Sequence, residues 1–326
     1  MGNGSPTEHA KIVIAHRGAS GYLPEHTLPA KAFAYAVGSD FLEQDVVLSK
    51  DDVPLVLHDV HLDTVTDVRQ RFPERARDDG RFYAIDLTLD ELKSLSVSER
   101  FDPATGQAVF PNRFPMGLSQ FRIATLAEEL ELIQGLNDST GRDVGIYTEI
   151  KRPAWHRQQG KDISQITLAV LNEYGYASRS DNVYVQCFDA AETRRIRDEL
   201  DCQMRLVQLL EDDDWGRTTA EYDLAAAESD LQTMAKYADA IGPSMNVVVV
   251  PHANRQGYLC TPLVELAHRC GLKVHPWTLR ADALPVYVDS FERLIEIALF
   301  EADADGVFSD FPDVTVATRD RLFQAS

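Results

Sequence analysis

From Ile12 to Ser309 short apolar, strand-like runs alternate with helix-like stretches almost without interruption. The strand-like runs cover 12–16, 41–48, 144–151, 182–188, 203–209, 239–243, 271–277 and 305–309. Between most of them lie helix-like segments at 27–37, 124–136, 161–175, 189–200, 216–237, 261–270 and 290–302. Such alternation predicts parallel strands joined by crossover helices. Eight strand candidates with intervening helices point to an α/β fold of the (β/α)8 type, the TIM barrel. A chain of 326 residues suits one large barrel, spanning 11–322, as well as it would suit two ordinary domains.

Side-chain parity sharpens the prediction. In 41–48, Glu43 and Asp45 share one strand face while Leu42, Val46 and Leu48 share the other. In 145–151, Tyr147, Glu149 and Lys151 oppose Ile146 and Ile150. Tyr184 and Gln186 likewise oppose Val183 and Val185, and Lys273, His275 and Trp277 oppose Leu272 and Val274. The apolar faces suit a helix layer. The polar faces converge on the barrel axis, and their last residues sit where this architecture places its chemistry.

One interval departs from the rhythm. Residues 59–123 are too long for a structureless loop and read as an insertion at the barrel mouth after the second strand. Within it, Thr88 to Leu95 has the pattern of a short capped helix. The polar start, Met1 to Glu8, has neither a basic region nor an apolar core. It reads as part of a disordered tail over 1–10 and not as an intact signal peptide.

The candidate chemistry gathers at strand ends. His16-Arg17-Gly18 closes the first strand, where Gly18 permits a sharp turn and Arg17 can fork two phosphate oxygens. Pro54 to Leu57 leads into His58 in the same manner, so that two imidazoles are available to accept and donate protons. Glu43 and Asp45, two apart on one strand face, with Glu149 from a neighbouring strand, form an all-oxygen ligand set suited to Mg²⁺ or Ca²⁺. Lys151 is placed to neutralise a phosphate, or else simply to pair with Glu149. Gln186 and Trp277 fit a glycerol-sized pocket, although Trp277 also suits ordinary core packing. Glu25 is expected to orient His16 or raise its pKa, and Thr27 to cap the helix that begins at Leu28-Pro29. Two proton-transfer groups, a cation and a metal site are the requirements of phosphodiester chemistry.

Composition narrows the partners. A net charge of −20 disfavours nucleic acid and anionic membranes, and it gives Arg17, Lys151 and a metal greater weight for an anionic substrate. No window approaches the roughly 18 apolar residues of a membrane span. The four cysteines, Cys187, Cys202, Cys260 and Cys270, contain no CxxC pair, which argues against zinc. Three disulfide pairings are possible beside free thiols.

The ordered set His16-Arg17-Gly18, Glu25-His26-Thr27, Glu43-x-Asp45, His58-Asp59, Glu149-x-Lys151, Gln186 and Trp277-Thr278 resembles the glycerophosphodiester phosphodiesterase family. The stretch from His16 through Leu95 is similar to its bacterial periplasmic subtype, and the likeness extends over roughly 11–320. One departure is Cys187-Phe188 after Gln186, where the family more often has a serine before the aromatic residue.

The resemblance implies a TIM barrel with an insertion after its second strand. It implies hydrolysis of deacylated phospholipids, such as glycerophosphocholine and glycerophosphoethanolamine, to sn-glycerol 3-phosphate and an alcohol. By the same resemblance His16 and His58 are the acid–base pair, and Glu43, Asp45 and Glu149 hold one divalent cation, Ca²⁺ before Mg²⁺. The expected partner is a small-molecule diester, with no nucleic acid and no stable membrane insertion, for a monomer or homodimer. A periplasmic or secreted location is implied, with a cytoplasmic one as the alternative. The rival activity is that of a phospholipase C- or D-like lipid phosphodiesterase on the same barrel. It requires an apolar interfacial surface to reach membrane lipid, and the −20 charge and lack of an amphipathic basic stretch argue against it.

Overall fold

The computed structural model describes residues 11–211, 224–252 and 257–325. The predicted tail over 1–10 and the start of the predicted 216–237 helix, residues 216–223, lie outside the described residues. In chain order the strands are β1 (Ile12–Ala15), β2 (Phe41–Leu48), β3 (Pro54–Val56), β4 (Ala124–Thr125), β5 (Gly145–Ile150) and β6 (Val183–Cys187). Then follow β7 (Arg205–Leu210), β8 (Ala240–Pro243), β9 (Val249–Pro251), β10 (Tyr258–Cys260), β11 (Lys273–Val274) and β12 (Gly306–Ser309).

Eight of these pair in the parallel order β11-β8-β7-β6-β5-β2-β1-β12. The ends close on each other through Asp305 N–H to Val274 O at 2.9 Å and Phe308 N–H to Pro276 O at 3.0 Å. The ring is therefore the predicted (β/α)8 barrel, and each of the eight predicted runs supplies one of its strands. The short run before His58 is different. It forms β3, antiparallel to β2 and to β4, so the chain folds back from the second barrel strand into the insertion.

Helix boundaries follow local chemistry. Thr125 caps Leu126–Thr140 in a reciprocal capping box with Glu128, and Gly141 in the left-handed region ends the helix. Thr88 and Glu91 make the same box at Leu89–Ser94, inside the insertion. Thr27 caps Leu28–Ala36, as its position beside Pro29 predicts. The one-turn helices Val68–Arg71 and Met245–Val248 lack a predicted counterpart, and so do two longer ones, Pro153–Gln158 and Pro312–Ala325. Both longer helices begin at a proline, which the sequence offers equally as a loop signal.

The hydrophobic interior has four parts, one of which, around Ile241, Leu263, Val274, Leu294 and Val307, joins the later strands to their helices. Leu42, Val46, Ile146, Val185 and Leu206 pack outward against the helix layer. Leu55, Leu62, Phe82, Leu92 and Phe121 form a separate core for the insertion. Ile14, Phe41, Tyr147, Tyr184, Val207 and Phe308 fill the barrel axis from its N-terminal side. Register then decides what lies above that plug. Asp45 stands opposite Glu149, and Glu149 opposite Gln186, at one level near the C-terminal mouth.

Candidate active site

β1 ends in a turn that only a narrow set of residues can make. Arg17 (φ 59°) and Gly18 (φ 87°) both adopt left-handed backbone. A Cβ on Gly18 would lie 2.9 Å from the Ala30 carbonyl carbon, so the helix at Leu28–Ala36 leaves no room for a side chain. The turn presents the Arg17 N–H to Glu43 Oε2 at 2.8 Å and the Arg17 carbonyl to the His26 N–H at 2.9 Å. Two adjacent chain segments are thereby fixed around the end of β2.

Glu43, Asp45 and Glu149 form a buried acidic triad whose ligand-type oxygens lie within 4.8 Å of one another. Burial and the charges of Asp45 and Glu149 push the Glu43 carboxyl well above the usual carboxylate range. Asp45 moves the other way: burial opposes its ionisation, but Lys151 and His26 outweigh it. Its Oδ2 accepts from His26 Nε2 at 2.8 Å, while its Oδ1 is buried without a partner. An orphaned carboxylate oxygen beside two further carboxylates is costly unless a cation joins them. The donor set, all oxygen and all buried, fits a hard divalent cation.

The predicted substrate residues surround this triad. His16, Arg17, His58, Lys151, Gln186 and Trp277 line one pocket of about 90 Å³ with the three carboxylates. Lys151 Nζ lies 2.7 Å from Glu149 Oε1. Gln186 donates from Nε2 to Glu43 Oε1 at 3.0 Å, so its amino group holds a carboxylate instead of awaiting a hydroxyl. Trp277 donates from its indole to Gly242 O at 2.8 Å and meets the Phe188 ring edge-on at 5.7 Å. A second cavity of about 670 Å³ opens beside the pocket and shares His58, Glu149, Lys151, Phe188 and Trp277 with it. A third cavity, about 910 Å³, lies at the opposite end of the barrel around Lys11, Asp40, Arg205 and Asp305, and contains none of these residues.

Each histidine leans on a carboxylate through Nδ1. His58 Nδ1 is 2.7 Å from Asp59 Oδ1, and His16 Nδ1 is 2.5 Å from Asp310 Oδ1. Both carboxylates sit far below their ordinary range because the neighbouring histidine and arginine groups outweigh the effect of burial. They are therefore acceptors, the ring proton is on Nδ1, and Nε2 is the nitrogen left without it. Burial, with the positive charge of Arg17, lowers His16 to about 4. Burial, Arg17 and Lys151 lower His58 to about 3.

Glu25 does not approach His16 as the sequence led us to expect. It accepts from Arg17 Nη1 at 3.1 Å and from Arg100 at 2.6 and 3.0 Å, and it is held strongly ionised by those two cations against the effect of burial. The carboxylate that orients His16 is Asp310, which the sequence reading missed. A signal was available, since Asp310 directly follows the eighth apolar run. The sequence reading names His26 only within its motif, without a role, and assigns none to Lys31 and Glu129. Lys31 is fully buried and bonds Glu129 Oε2 at 2.7 Å behind β2, and its Nζ lies 3.4 Å from His26 Nδ1.

All four cysteines are unpaired. Among the described residues no helix is long and apolar enough to cross a membrane.

Comparison with known proteins agrees with this geometry. The model of the glycerophosphoryl diester phosphodiesterase family matches residues 16–314. A glycerophosphodiester phosphodiesterase from Haemophilus influenzae is 46% identical over 323 residues, covering 94% of this chain and 89% of that protein. One from Treponema pallidum is 39% identical, covering 94% and 91%. Among solved structures, a candidate glycerophosphoryl diester phosphodiesterase from Silicibacter pomeroyi aligns with a TM-score of 0.70 at 25% identity, covering 98% and 96% of the two chains. An Oleispira antarctica phosphodiesterase in complex with the product sn-glycerol-3-phosphate shares the fold, with a TM-score of 0.65 at 21% identity over 95% and 97%. With the family model matching residues 16–314 and relatives of 46% and 39% identity covering 94% of the chain, the protein belongs to the glycerophosphoryl diester phosphodiesterase family and is an enzyme of that family.

Proposed function

We propose that the protein hydrolyses glycerophosphodiesters, such as glycerophosphocholine and glycerophosphoethanolamine, to sn-glycerol 3-phosphate and an alcohol. The observation that carries this reading is the single pocket holding His16, His58, Arg17 and the Glu43–Asp45–Glu149 triad. The triad would hold one divalent cation, Ca²⁺ before Mg²⁺, which when bound supplies positive charge to the phosphate and to the developing alkoxide.

Arg17 is placed to bind a phosphoryl oxygen. Its Nε is buried and makes no hydrogen bond, while Glu25 steadies the far side of the fork. His16 lines only the small pocket, whereas His58 lines both the pocket and the larger adjoining cavity. The glycerol end therefore belongs with His16 and the head group with His58.

In the first step His16 Nε2 takes the proton of the glycerol 2-hydroxyl. That oxygen bonds phosphorus as the bond to the head-group oxygen breaks, and His58 Nε2 gives its proton to the departing alcohol. Water then opens the cyclic phosphate with the proton roles reversed. Both imidazoles are neutral in the free site at pH 7, as their lowered pKa values require. A phosphodiester anion counters the Arg17 and Lys151 charges that depress His58, and so favours the protonated form that the acid needs.

The test is release of sn-glycerol 3-phosphate and choline from glycerophosphocholine after chelation, and again with Ca²⁺ or Mg²⁺ restored. Activity that disappears with chelator and returns with a cation supports the reading. Cleavage of vesicle phospholipid with no cleavage of the soluble diester would replace it with the lipid phosphodiesterase.

A further inference from the structure

The two histidine–carboxylate pairs share one feature that the reaction scheme does not use. In each, one carboxylate oxygen holds the imidazole and the other is held by an arginine from the insertion. Asp59 Oδ1 faces His58, and its Oδ2 accepts from Arg100 Nη1 at 2.7 Å. Asp310 Oδ1 faces His16, and its Oδ2 accepts from Arg113 Nη2 at 2.6 Å. The two carboxylates are far apart in the chain, one beside β3 and one after β12, whereas the arginines belong to one short excursion of the insertion.

Each arginine is itself locked. Arg100 reaches Glu25 with a second edge of its guanidinium, at 3.0 Å from Nε and 2.6 Å from Nη2, and Glu25 in turn holds Arg17. The main chain beside it is anchored by the Phe101 N–H to Thr64 O at 2.9 Å and the Ser98 N–H to Val65 O at 2.9 Å, both in the insertion core. Arg113 forks onto Asp282 at 2.8 and 3.0 Å, donates to Ser20 O at 3.2 Å and lies over the Phe110 ring at 3.7 Å from its centre. Between the arginines the chain turns back on itself through the Phe101–Ala108 bridge. Few side-chain rotations remain open to either group.

We propose that the insertion is a clamp on the catalytic pair: Arg100 and Arg113 are positioning residues that fix the carboxylate planes of Asp59 and Asp310 and so aim Nε2 of His58 and His16 into one pocket. The inference rests on the reading of His16 and His58 as the proton-transfer pair. It explains why a chain that already has a closed barrel keeps a separately cored insertion against the mouth. A free carboxylate rotates about its Cβ–Cγ bond and takes the imidazole with it. A guanidinium on the distal oxygen removes that freedom, and a small misplacement of a proton-transfer group is costly in rate. The clamp is unequal on its two sides. Asp310 Oδ2 also accepts from Arg280 Nε at 2.9 Å, on the barrel loop after β11, whereas among the described residues Asp59 Oδ2 has only Thr64 Oγ1 besides, at 3.2 Å. Loss of Arg100 should therefore disturb His58 more than loss of Arg113 disturbs His16.

The experiment uses the full chain with Arg100→Gln, Arg113→Gln, Arg100→Lys and Arg113→Lys, and with His16→Ala and His58→Ala as references. In Arg100→Gln, kcat is expected to fall about tenfold to a hundredfold, on the scale seen when groups behind a functional side chain are removed, with KM little changed. Arg113→Gln should fall less, and the lysine variants should recover part of the loss. Nitrogen-15 imidazole spectra supply a readout that does not depend on turnover. Arg100→Gln should move the ring signals of His58 and leave those of His16, and Arg113→Gln should do the reverse. Because Arg113 is buried with Asp310, its variant is the one at risk of failing to fold, and the half-buried Arg100 then decides the matter. Ring signals and kcat both unchanged in folded Arg100→Gln would overturn the clamp. If instead the rings shift as expected but His16→Ala and His58→Ala keep full activity, the clamp stands and the proposed proton-transfer roles fall.

Discussion

The two ends of the barrel axis are built from the same strands and the same inward face, yet they do opposite work. On β2, Phe41 lies in the plug and meets Tyr147 and Tyr184 edge-on at 6.1 and 5.3 Å. Four residues further, about 13 Å along an extended strand, Asp45 lies in the acidic triad. On β5, Tyr147 stacks on Tyr184 at 4.8 Å and bonds His275 Nδ1 through its hydroxyl at 2.8 Å, and two residues later comes Glu149. On β12, Phe308 packs against Tyr147 at 5.0 Å, and two residues later Asp310 holds His16. The plug end is an apolar wall that pairs its few polar atoms. The mouth end gathers charges whose mutual repulsion the apo protein must bear. Stability and chemistry are thus separated along single strands, with inward parity held constant.

The sharpest way to break that separation is to cut at the mouth. His16→Ala should lower kcat by about 10²- to 10⁴-fold, the usual range for a lost proton-transfer group. The melting temperature should barely change. A near-normal rate, measured on glycerophosphocholine, would remove His16 from the mechanism.

The matching cut in the plug should have the reverse signature. Phe41→Ala removes a ring that is 5% exposed, and should destabilise by about 3–5 kcal/mol in denaturant unfolding. The fraction that remains folded should turn over at nearly the native rate. A large fall in kcat without destabilisation would show that the two ends are coupled.

Cation binding sharpens the comparison next. If the triad binds Ca²⁺, the free protein gains about 2.7 kcal/mol at a hundred times the dissociation constant, read as a rise in melting temperature. Asp45→Asn should abolish the rise, because Asp45 carries the orphaned buried oxygen of the triad. The metal-free variant should melt no higher than the metal-free native chain, since Asp45 is held ionised by Lys151 and His26 and an amide gives up those charge pairings. Phe41→Ala should keep the Ca²⁺ response. A response that survived Asp45→Asn would move the cation away from the triad.

How legible this was in the sequence depends on distance along the chain. The barrel strands could be read because parity and alternation are local properties. Glu43, Asp45 and Glu149 stood out because inward carboxylates on apolar strands have few structural uses. The expected Glu25–His16 contact failed for a reason of the same kind. Proximity in sequence placed Glu25 near His16, but the turn through Arg17 and Gly18 sends Glu25 toward Arg100, a residue of the insertion that no periodicity locates. Arg113 and its partner Asp310 are 197 positions apart, and only the closed barrel brings them together. The groups proposed to bind and react were written in motifs, while most of the groups that hold them were written in tertiary structure.

Glu99 gives the smallest effect and the finest probe of the mouth. It stands next to Arg100, is 3% exposed and has one oxygen buried without a partner. Burial and the charge of Glu25 raise its pKa from 4.5 to about 7, against the pull of Arg113. The folded protein therefore keeps this proton over a range in which the unfolded chain has already released it. Stability falls as pH rises from about 4.5 through 7, and the loss persists above that range. Glu99→Gln removes the loss. Its melting temperature should match the native chain near pH 5 and exceed it at pH 8, by only a few degrees in a chain of this size. A gap that is constant with pH would mean that Glu99 ionises freely in the fold. A gap that opens as pH rises, while the same titration leaves Phe41→Ala parallel to the native chain, would place the pH-dependent part of the stability at the mouth and not in the plug.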